Sequence, residues 1–216
     1  MTTTLLFALL ASAACASAPG GAYQTPAPAN PPAHVTTASD TAPPLYTAAD
    51  IEFMDGMISH HAQALLMAGW AESHGASPAI RTLTSRIINA QRDEIAGMQR
   101  WLRDRHQPVP EPNPHGMMMN MGGMQHEMLM PGMLTEDQLK QLDAARSKDF
   151  DRLFLTFMIQ HHQGAVTMVN NLFATPGAAQ EMTVYKIASD ISADQTTEIE
   201  RMQKMLAPMA FDTPTT

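Results

Sequence analysis

Cys15 is the only cysteine in this 216-residue chain. It has no partner for an internal disulfide, and a thiolate metal cluster is excluded. Basic side chains are also scarce, 13 against 21 acidic ones, for a formal charge of −8. That balance repels phosphate backbones, which argues against nucleic acid, and it suits cationic ligands. The chain has no apolar run of about 20 residues, the length needed to span a bilayer as a helix. No nucleophile stands beside a base, no glycine loop is built to cradle phosphate, and no paired buried carboxylates stand out. The chain therefore reads as a binding protein and not as an enzyme. Aromatic residues are sparse at 6%, whereas methionine reaches 19 residues.

The N-terminus reads as an export signal. Leu5 to Ala14 is a short apolar run followed by small residues, although no Lys or Arg precedes it. Ser12-Ala13-Ala14-Cys15 resembles a bacterial lipobox, with Ser12 where Leu is usual, which makes Cys15 a candidate lipidation site. The alternative is a cysteine that merely lies in or beside a removed peptide. Residues 1–18 are assigned to the signal and residues 19–45 to a Pro/Ala-rich tether, too poor in large apolar side chains to offset its ordering entropy. This places the protein in the periplasm or elsewhere outside the cytoplasm, with membrane contact only through a lipid anchor.

The remainder repeats itself. Phe53, Met57-Ile58, His60-His61, Ala64 and Met67 recur as Phe154, Met158-Ile159, His161-His162, Ala165 and Met168 at one offset of 101 residues, and Asp50 recurs as Asp151. A second block follows each first one: Gln91, Glu94-Ile95 and Met98-Gln99 recur as Gln195, Glu198-Ile199 and Met202-Gln203. Two blocks in the same order indicate a duplicated two-helix unit.

Punctuation supports helices throughout. Thr47 and Asp50 suit a helix start, Gly75 and Ser77-Pro78 a stop and a restart, and Thr135 to Gln138 a capping box. A third long helix is expected from about Lys148 to Phe173 and a fourth from about Ala178 to Leu206. The expected fold class is all-α, a duplicated antiparallel helix pair forming a four-helix bundle. It comprises repeat one (46–105), a Met-rich linker (106–134) and repeat two (135–207), with a tail at 208–216.

Adjacent histidines on a helix diverge by about 100°, so each pair faces two ways. Met57, His60, Ala64 and Met67 share one stripe, as do Met158, His161, Ala165 and Met168. Methionine can be mere core filler. Burying four imidazoles, however, is costly unless each nitrogen finds a partner, and a metal ion can serve several at once. Imidazole and thioether without thiolate favour copper, Cu(I) above all and Cu(II) through histidine. Glu94 and Glu198 read as solvated helix-face carboxylates, with orientation of imidazoles as the alternative. His34, His74 and His106 lack matching partners and are assigned nothing.

The linker adds His115, Met117, Met118, Met119, Met121, Met124, His126 and Met128 to the candidate donors. Eight Met fall within residues 117–133, interleaved with Gly and Pro so that no helix face organises them. Exposed apolar side chains at that density are a liability unless they bind something.

The paired Met-Ile-x-His-His-x-x-Ala-x-x-Met blocks, the Glu-Ile-x-x-Met blocks and the Met-rich linker resemble the bacterial family of domains of unknown function numbered 305, over about Tyr46 to Leu206. The resemblance implies a ferritin-like helical bundle, export, and copper binding through Met and His linked to copper tolerance. Carried over by motif, the ligands would be Met57, His60, His61, Met67, Met158, His161, His162 and Met168, with Met98 and Met202 as further candidates. Leu155 stands where the first unit has Met54, so the halves need not bind equally. Partners would be copper ions and another envelope copper protein. Two other functions compete. A ferritin-like di-metal oxidase would need Glu-x-x-His motifs, whereas Met57 and Met158 precede His60 and His161 by three. A metal-free module gripping apolar peptides through Met is the other.

Overall fold

The computed structural model describes residues 45–121 and 124–210, without the side chains of 118–121, 124–127 and 210. The signal, Cys15, nearly all of the tether and residues 211–216 lie outside the described residues.

Five helices carry the fold: α1 (Ala48–Gly69), α2 (Pro78–Asp104), α3 (Glu136–Ala144), α4 (Ser147–Ala174) and α5 (Met182–Leu206). Helix α1 packs along α2, and α4 along α5. These two hairpins meet mainly through α1 and α4, while α2 and α5 touch less. No described helix is long and apolar enough to cross a membrane. Local chemistry explains most ends. Thr47 and Asp50 form a capping box on α1, Ser77 accepts from the Ile80 amide with Pro78 opening α2, and Thr135 with Gln138 caps α3. Helix α4 stops at Ala174, because Pro176 holds Thr175 extended at ψ 122°.

Two ends differ from expectation. Helix α1 closes at Gly69, ahead of a turn that runs to Gly75 at φ +70°. Helix α5 starts at Met182 instead of near Ala178, because Ala179 adopts φ +54° and donates its amide to Asp50 Oδ1 at 2.7 Å. Asp151, the repeat equivalent of Asp50, accepts in the same way from the Ser77 amide at 3.1 Å. Each buried aspartate on one hairpin thus ties down the start of the second helix of the other.

The linker is more ordered than its composition suggested. Strands β1 (Met117–Met121) and β2 (Met124–Met128) pair antiparallel, Met117 opposite Met128 and Met121 opposite Met124. Two residues of Gly-Gly between such runs are a hairpin signal. Past it, Pro131 to Leu134 crosses α1 and α4 as a strap. Gln63 grips the strap in both directions, donating to the Leu134 carbonyl at 3.1 Å and accepting from its amide at 2.6 Å.

The core falls into two apolar clusters. Met57, Met98 and Met168 belong to one, with Phe53, Trp101 and Val169. The repeat equivalents Met158, Met202 and Met67 belong to the other, with Phe150, Phe154 and Ile80. Each fully buried Met stabilises the fold by about 1.5–3 kcal/mol.

Candidate metal centre: four buried imidazoles

His60, His61, His161 and His162 are all fully buried. The 100° divergence of neighbours on a helix sorts them. His60 on α1 and His161 on α4 turn toward each other across the α1–α4 contact, with ring centroids 3.8 Å apart. Their neighbours turn outward. His61 Nε2 lies 2.7 Å from Glu94 Oε2 of α2, and His162 Nε2 lies 2.6 Å from Glu198 Oε2 of α5. Within each pair the rings are 6.2 Å apart, tilted by 58° in one and 55° in the other. The arrangement is the same in both halves, with one distinction. His162 makes a true hydrogen bond to its glutamate, whereas the His61 contact is close but misaligned, leaving both atoms without a hydrogen bond.

Glu94 and Glu198 are therefore partners of the histidines and not solvated surface charges. Their side chains are only 17% and 20% exposed. The sequence offered a signal for this: each lies three residues after a matched glutamine, Gln91 or Gln195, on the same helix face. Both glutamines are buried, and neither Gln91 amide atom nor Gln195 Oε1 finds a partner.

Six of the eight imidazole nitrogens are also unpartnered: His60 Nδ1, both of His61, both of His161, and His162 Nδ1. Each such buried group costs on the order of 1–3 kcal/mol. His60 Nε2 alone reaches the strap, 3.1 Å from the Pro131 carbonyl. Burial, reinforced by the neighbouring His61 ring, holds His60 well below the ordinary histidine range, the Pro131 carbonyl opposing. His161 lies well below it too, through burial and then His60; the nearby His60 backbone opposes but is not aligned for a bond. Burial lowers His162 as well, with Glu198 opposing. These three rings are neutral at pH 7 and carry free lone pairs, the state in which imidazole binds a metal.

The other sequence-derived candidates are distributed around this cluster. Met57, Met67, Met98, Met158 and Met202 are fully buried, and Met168 nearly so, in the apolar clusters that flank the rings. Met117 and Met128 line a separate cleft of about 560 Å³ with Met130 and Met168. His115 is an exposed residue paired with Glu136 at 2.5 Å. The side chains of Met118, Met119, Met121, Met124 and His126 lie outside the described residues. His74 is a structural residue, bonded to Ser73 and Asp143 and stacked on Trp70. Among the described residues, no three His, Cys, Asp or Glu side chains form a ready-made metal cage.

The fold and site define an all-α protein with paired histidines buried between its two central helices. The chain belongs to the family of the domain of unknown function (DUF305), whose model matches residues 50–206. A DUF305 fragment from Deinococcus radiodurans is 28% identical, with a TM-score of 0.62, over 76% of this chain and 99% of its own. A DUF305 protein from Streptomyces coelicolor, assigned as secreted, is 27% identical with a TM-score of 0.62, over 74% of this chain and 93% of its own. CopM, solved in Cu(I)-bound and Cu(II)-bound forms, is 29% and 31% identical in the two alignments. Both give a TM-score of 0.56 over 74% of this chain, and cover 96% and 97% of CopM. CopM has also been solved with silver. No curated protein matches the sequence.

Proposed function

We propose that this protein is an exported copper carrier that sequesters or shuttles copper in the cell envelope and supports copper tolerance. One observation carries the reading: four buried imidazoles, two of them with ring centroids 3.8 Å apart, keep six ring nitrogens without a hydrogen-bond partner. A fold tolerates so many unsatisfied groups when a ligand satisfies them in the working state. The similarity to CopM, solved with Cu(I), Cu(II) and silver, supports copper as that ligand.

His60, His61, His161 and His162 would be the nitrogen donors. Met57, Met67, Met158 and Met168, with Met98 and Met202, would be the soft sulfur donors for Cu(I). The Met-rich hairpin, with His115 and His126, would extend capacity at the surface. The scaffold would be a duplicated, ferritin-like four-helix bundle, delivered by the N-terminal signal and held by a lipid on Cys15. Copper is cargo in this reading, passed to another envelope copper protein, and no catalysis is involved.

The test is copper retention after dialysis by the native domain beside a variant with all four histidines changed to alanine, with Cu(I) affinity read against a chromophoric chelator. The native protein should compete at micromolar chelator and the variant should not. Equal retention by both would discard the reading.

The two His–Glu contacts favour a second reading, a di-metal oxidase, since such sites combine carboxylates and histidines from four helices. Oxygen consumption by iron-loaded protein separates it from the first.

A further inference from the structure

The four-histidine cluster has a closed side and an open side. On the closed side the strap covers it. Gly164 and Gly132 meet backbone to backbone there, so tightly that a Cβ on Gly164 would lie 1.9 Å from the Pro131 carbonyl. Gln160 also ties down the strap by donating to the Gly132 carbonyl at 3.3 Å.

On the open side a cleft of about 240 Å³ lies between α2 and α5. Gln91, Glu94, Asp194, Gln195 and Glu198 line it, with the exposed Arg86 and Arg201. The carboxylates of Glu94 and Glu198 have one end at this cleft and the other against fully buried His61 and His162. The buried amides of Gln91 and Gln195 add oxygen atoms that no protein group satisfies. Three carboxylates, Glu94, Asp194 and Glu198, stand against the two arginines along the cleft walls.

We propose that the α2–α5 cleft is a cation vestibule, in which Glu94, Glu198 and the Gln91 and Gln195 amide oxygens take up a divalent ion and pass it to His61 and His162. The inference rests on the copper reading above. Oxygen donors prefer the harder Cu(II) to Cu(I), so the vestibule admits copper as Cu(II), and sulfur plays no part in entry. Transfer exchanges carboxylate and amide oxygen for imidazole nitrogen on the metal, with no change of oxidation state.

Stopped-flow uptake of Cu(II), supplied as its cationic 1:1 glycine complex, tests this on the full chain. Thr197→Trp, at an exposed position on the cleft wall, should slow both uptake and chelator-driven release about tenfold while leaving the copper bound at equilibrium unchanged. Ala90→Phe, on the opposite wall, is the second plug if the first fails to fold by circular dichroism. Glu94→Gln with Glu198→Gln should slow uptake by about tenfold or more, the range that charge-lined clefts add to association rates. It should also blunt the fall in uptake with added salt. If native protein loads and folded plug variants load as fast, or if the glutamine variant keeps the native rate and salt dependence, the vestibule is wrong and the copper site stands. If native protein binds no copper, both fall.

Discussion

Gly164 and Pro131 touch backbone to backbone: the space where any other residue would carry its Cβ is filled by the Pro131 carbonyl. That carbonyl is also the group facing His60 Nε2. One glycine on α4 therefore sets how closely the strap covers the imidazoles.

Gly164→Ala should destabilise the protein by about 3 kcal/mol, the upper range for overpacking against atoms that cannot swing aside. Gly97→Ala is the control. Nothing lies within 4 Å of a Cβ there, and alanine in mid-helix should stabilise by up to about 1 kcal/mol. Urea midpoints for the two variants should shift in opposite directions.

Acid should weaken the metal-free fold. The folded-state values of His60, His161 and His162 all lie below the ordinary 6.5, despite Glu198 and Glu94 facing the cluster. Below pH 6.5 the unfolded chain therefore binds protons that the native chain refuses. Stability from these groups is nearly constant well above that pH and falls as pH drops through it, the slope approaching about 1.4 kcal/mol per unit for each group. Denaturant titrations at pH 7.5, 6.5 and 5.5 should show a larger loss in the lower interval than in the upper, both absent when the three are changed to glutamine.

Asp151→Ala should cost about 2 kcal/mol, since it strands the half-buried Ser77 amide, and Asp50→Ala about 3 kcal/mol, since it strands the buried Ala179 amide and also breaks the capping box with Thr47. Asp149→Ala, an exposed neighbour, should stay within about 0.5 kcal/mol. The larger loss at Asp50, read from thermal melts, would reflect that added cap.

Met57→Leu with Met158→Leu separates ligand from filler. The exchange conserves volume and should cost less than about 1.5 kcal/mol. Cu(I) affinity should nevertheless fall, because the thioether is gone. Unchanged Cu(I) affinity in the folded variant would leave these two sulfurs as packing only.

Much of this was legible along the chain, where the deciding interactions are local. Thr47, Ser77 and Thr135 bond within three residues of themselves, so their caps could be read from spacing alone. The matched His-His and Gln-x-x-Glu blocks marked the helices that matter, and the helical period assigned the two histidines of each pair to different faces. What spacing could not supply was the company each face keeps. Glu94 looked solvated because nothing within reach on α2 explains it; its partner is His61, on another helix. The later start of α5 was hidden for the same reason, since the residue that stops Ala179 from joining the helix is Asp50, 129 residues earlier.

Caps, period and composition act over a few residues, and they were enough to mark an all-helical core with matched His-His and Glu-Ile blocks, where the soft and imidazole donors are concentrated. It took packing between helices to set His60 against His161, to back the outer histidines with glutamates, and to close one side of the cluster with a strap. Those outcomes depend on which surfaces meet across helices, and burial, not proximity along the chain, selects them.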